Sequence, residues 1–80
     1  MEILMQMKSF DVYSQQVWAA NTIADKKEIL IQMVENFQYK GKFGENVVAF
    51  KRSINACNSL TKLDSMAAQL ALNITDRVIK

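Results

Sequence analysis

Eighty residues, half of them hydrophobic and carrying a net charge of +2, make one small domain. A chain this short buries a modest share of its surface, and its hydrophobic content excludes a disordered chain. The charge is too weak to demand a nucleic acid or an anionic membrane as partner, and one cysteine, Cys57, excludes an internal disulfide framework.

Residues 1–8 read as an arm. Ile3, Leu4, Met5 and Met7 suit either an added helical turn or a short extended piece. The stretch contains Glu2 and lacks a basic flank and a small-residue cleavage site, so it does not read as a secretory signal. No run approaches the ~20 apolar residues that span a bilayer. The expectation is a cytoplasmic protein.

Ser9 is a candidate N-cap, because its hydroxyl can accept a bond from an orphan backbone N–H. A first helix follows to about Ala20, with Phe10, Tyr13, Val17 and Ala20 on its inward stripe. Asn21 and Thr22 form a turn, since their side chains compete with helical backbone bonds. A second helix restarts near Asp25, with Glu28 as its capping-box partner. Ile29, Leu30, Met33, Val34 and Phe37 line its apolar face, and Gly41 is its expected C-terminal cap. The segment from Lys40 to Gly44 reads as a loop. A third helix spans about Glu45 to Cys57, with Val47, Phe50 and Ile54 inward. Asn58 and Ser59 repeat the turn chemistry. A fourth helix starts at Thr61, with Asp64 as box partner, and runs through Leu63, Met66, Leu70 and Ile74 to Val78.

These elements repeat. Shifting by 37 residues takes Phe10, Tyr13, Val17 and Ala20 onto Val47, Phe50, Ile54 and Cys57, and Asn21-Thr22 onto Asn58-Ser59. Only Ala19/Ala56, Asn21/Asn58, Gln32/Gln69 and Asn36/Asn73 are identical, a level that two unrelated amphipathic hairpins can also reach. The expected fold is therefore all-α: four short helices in two similar hairpins, over 9–39 and 45–79, with an internal duplication as one origin. Two hairpins are too few for a solenoid. They should close on each other as a compact bundle or pair with another copy.

Chemistry is sparse. The chain has no His, which removes the commonest general base and metal ligand. It has no Cys pair for zinc and no base to activate a hydroxyl. Gly41-Lys42-Phe43-Gly44 is too short for a phosphate-binding loop. No cofactor and no enzymatic activity are expected. Cys57 reads as a small buried hydrophobe; a reactive thiol would need cations, and only Lys51 and Arg52 are near in sequence.

Two surface readings remain. Tyr39, Lys40, Lys42, Lys51 and Arg52, with Phe43 and Phe50, interleave cations and rings as a single-stranded nucleic-acid surface does. The same pattern also arises when the rings are core and the lysines offset a helix dipole. Trp18, Val12, Ile31, Val48, Leu72 and Ile79 fall outside the inward stripes. A Trp with such companions suggests a contact surface, including one for self-association.

The run Ile54-Asn55-Ala56-Cys57-Asn58-Ser59-Leu60-Thr61-Lys62-Leu63-Asp64, with Phe50 before it, resembles the hairpins of small helical accessory proteins of T-even-type tailed phages. The richness in Lys, Ile and Asn and the Met-rich opening are similar to that group. The resemblance implies a phage-encoded protein in the host cytoplasm that acts by binding a host enzyme or a phage component. It carries over no functional residue. The reading is a non-catalytic adaptor or inhibitor that docks on a larger protein, the alternative being a weak nucleic-acid-binding accessory protein that uses the Lys40–Arg52 region.

Overall fold

A computed structural model of the chain describes residues 9–75. Among them the fold is all-α and compact, and the helices are α1 (Phe10–Ala19), α2 (Ile23–Asn36), α3 (Gly41–Glu45), α4 (Val47–Ala56) and α5 (Leu60–Asn73). Four correspond to the expected helices. The fifth, α3, occupies the segment read as a loop. The arm 1–8, Val78 and Ile79 lie outside the described residues.

The caps explain the boundaries. Ser9 caps α1 as expected, its hydroxyl accepting from Val12 N. The start of α2 is a correction: Thr22, not Asp25, is the N-cap, and its Oγ1 accepts from Asp25 N at 3.1 Å. The start of α5 repeats this, with Ser59 in place of Thr61 as the cap, accepting from Lys62 N. In both turns the Asn stands before the hydroxyl residue, and it is the latter that opens the helix. Gly41 does not cap α2, which ends at Asn36; it adopts φ +64 at the start of α3 instead. Gly44 is required one turn later, because a Cβ there would collide with the Tyr39 carbonyl oxygen. Asn46 interrupts the helix, so α4 starts at Val47 rather than Glu45. At the other end α5 stops at Asn73, where Ile74 turns extended and pairs with Tyr39 in an isolated antiparallel bridge.

Phe10, at the start of α1, packs edge-on against Phe37, just past the end of α2, so the two helices are antiparallel. Lys26 in the first turn of α2 reaches Asp64 early in α5, and Lys40 N, beyond α2, bonds Asn73 O at the end of α5. Hence α2 and α5 run side by side in the same direction. α1 packs on both of them, whereas α4 packs on α2 and scarcely touches its own hairpin partner α5. The core joins Phe10, Tyr13 and Val17 of α1, Leu30, Met33 and Val34 of α2, Ile54 of α4, and Leu63, Ala67 and Leu70 of α5. Each large aliphatic side chain so buried contributes about 1.5–3 kcal/mol.

Candidate interaction surfaces

The apolar residues expected outside the stripes do not form one face. Val12, Trp18, Val48 and Leu72 are exposed, Trp18 by 54% and Leu72 by 76%. Leu60, read only as the aliphatic after the second turn, is exposed too. Ile31, by contrast, is half-buried and packs against the core. On α1, Val12 and Trp18 are six residues apart, which places them about 120° from each other around the helix. Trp18 stands at the end of α1 next to Val17, whose carbonyl accepts from Lys26. On α5, Leu72 belongs to an outward face with Thr61, Ser65, Ala68 and Gln69, all exposed.

The aromatic and basic segment divides. Its rings turn inward: Tyr39 stacks edge-on with Phe43, and Phe43 with Phe50 at 4.9 Å, all three half-buried against the core. The Tyr39 hydroxyl donates to the Met33 carbonyl at 2.7 Å, and burial raises its pKa well above the ordinary value. Lys51 is held by Glu35 at 2.9 Å. Lys40, Lys42 and Arg52 are exposed. The three rings thus spend part of their surface on one another and on the core, while the cations Lys40, Lys42 and Arg52 face water.

Sequence reasoning missed a buried cation. Lys26 is 3% exposed; its ammonium donates to the Val17 carbonyl at 2.5 Å and to Asp64 Oδ1 at 2.7 Å. Removing one partner of a buried pair costs about 3–5 kcal/mol, and the lower end applies because Asp64 is 42% exposed. The signal was spacing: Lys26 lies four residues before Leu30 and so belongs to the inward stripe of α2. Nearby, Lys27 donates to the Asn55 carbonyl of α4 at 2.8 Å.

A shallow cleft of about 510 Å³ opens where α4 and α5 part, lined by Ser53, Ala56, Cys57, Asn58, Lys62 and Met66 among others. Cys57 is buried beside it, its thiol 3.6 Å from the Ser59 carbonyl. Among the described residues no group of acidic or Cys side chains is placed to hold a metal ion, and no helix is long and apolar enough to cross a membrane. No family model, curated protein or solved structure matches the chain, so the resemblance to small phage proteins gains no support from these comparisons.

Proposed function

We propose that the protein works without catalysis, as an adaptor or inhibitor that docks on a larger protein. One observation carries this reading. Among the described residues the buried polar side-chain atoms all have partners, yet Trp18, Val12, Val48, Leu60 and Leu72 are exposed. Trp is the residue most enriched at interface hot spots. Helices fixed by a shared core present such side chains with little ordering entropy left to lose. The same exposed side chains suit contact with a second copy of the chain.

The nucleic-acid alternative has three exposed cations, Lys40, Lys42 and Arg52, beside rings that are half-buried. Affinity capture from the cell that makes the protein separates the two. The expected result is one stoichiometric protein, retained by the wild type and lost by W18A/L72S while the unfolding midpoint is unchanged. Nucleic acid alone, removed by nuclease and by K40E/K42E, would favour the alternative.

A further inference from the structure

Three exposed groups meet at the end of α1, where it lies against α5. The Tyr13 flank of α1 faces α2, through Asn36 and Phe37. The opposite flank carries Ser14, itself buried, and one turn later Trp18; it turns toward α5, the other helix on which α1 packs. Lys26 fixes the level. Its ammonium touches the Val17 carbonyl at 2.5 Å and Asp64 Oδ1 at 2.7 Å, so the Asp64 carboxylate lies one ammonium's width from the residue before Trp18. Leu60 stands one turn before Asp64 on the same flank of α5. Trp18 is 54% exposed, the Asp64 side chain 42% and Leu60 41%.

The charge of this patch has one sign. Among the described residues Asp64 is bound through Oδ1 alone, which leaves Oδ2 as an acceptor in water. The positive member of the pair is out of reach, because Lys26 is 3% exposed. α1 carries no Lys or Arg, and Lys62, the one cation of α5, lines the cleft toward α4 on the far flank. A ligand laid over Trp18 and Leu60 therefore meets a carboxylate. An anionic ligand is repelled by it. A purely apolar one buries Oδ2 without a partner, which is costly. A guanidinium satisfies both parts of the patch, since it lies flat on an indole ring and donates at its edge to an acidic oxygen; an ammonium is a point charge with no plane to stack.

We infer that Trp18, Asp64 and Leu60 form a docking site for an arginine-bearing segment of a partner protein. The guanidinium covers the indole and donates to Asp64 Oδ2, and an apolar neighbour of that arginine packs on Leu60. This rests on the docking reading above and adds the chemistry of the partner. The test is selection by the full chain from a displayed library of random short peptides. Enriched peptides should pair Arg with a nearby apolar residue and change the emission of Trp18, the chain's single Trp. Replacing that Arg by citrulline, its neutral isostere, should weaken binding by about tenfold or more. This step leaves the protein unaltered, so unfolding cannot imitate it. On the protein side, K26M/D64N removes the carboxylate without stranding a buried cation, and it should lose affinity by a similar factor while circular dichroism shows it folded. Peptides without arginine, or peptides whose citrulline form binds as tightly, overturn the arginine site and leave docking itself standing. A library from which the wild type enriches nothing beyond what W18A/L60S enriches overturns both.

Discussion

Tyr39 shows how one side chain ties a connection to the core. Its ring sits in the Tyr39–Phe43–Phe50 stack and its hydroxyl is bound to the Met33 carbonyl. Burial raises its pKa above the ordinary value near 10, so the folded protein keeps a proton that the unfolded chain gives up. The stability this contributes is full below about pH 10 and is lost as pH rises above it toward the folded value. Chemical denaturation between about pH 8 and 11 should show a falling limb that Tyr39→Phe flattens. Tyr39 was legible in the sequence as an aromatic beside lysines, but its direction was not. Nothing local distinguishes a ring that offers a stacking face from one that turns inward; its partner Phe43 lies on α3 and packs in turn on Phe50 of α4. Lys26 was hidden for the opposite reason. A lysine is assigned to solvent by type, and only the position of Asp64 on a distant helix makes its burial tolerable.

At the scale of elements, the two interhelix turns use the same chemistry. Thr22 and Ser59 each accept from the backbone N–H three residues on. Thr22→Ala and Ser59→Ala should each cost about 1 kcal/mol in urea denaturation, and the double variant should cost their sum because the caps share no partner. The apolar periodicity located four helices, and the hydroxyl residues located the turns. Their caps were read three and two residues late: Asp25 was read as the cap where Thr22 is, and Thr61 where Ser59 is, because Thr22 and Ser59 were assigned to the turns. The short α3 was invisible because two glycines in five residues argue against a helix. It forms because Gly41 supplies the positive φ and Gly44 the room for the Tyr39 carbonyl, and its Phe43 is anchored in the ring stack.

At the scale of the molecule, hairpin two has little core of its own: α4 leans on α2, and Ile54 is buried by the shared cluster. The domain should therefore unfold as one unit. Leu30→Ala in hairpin one and Ile54→Ala in hairpin two should each destabilise by about 2–5 kcal/mol. In both variants, helical signal and Trp18 emission should change at one common midpoint; an earlier loss confined to hairpin two would contradict a single cooperative core. The bridge beyond α2 and α5 has a different standing. Lys40 N–Asn73 O and Thr75 N–Gln38 O clip together the ends of a segment that contains α3, α4 and α5. Closing a ring of roughly 30 residues costs about 3 kcal/mol in chain entropy before any constant is added. Two backbone hydrogen bonds return only about 1 kcal/mol each. The clip cannot recruit the second hairpin; it snaps shut after α2 and α5 have met, as a latch on a ring already closed by apolar contact.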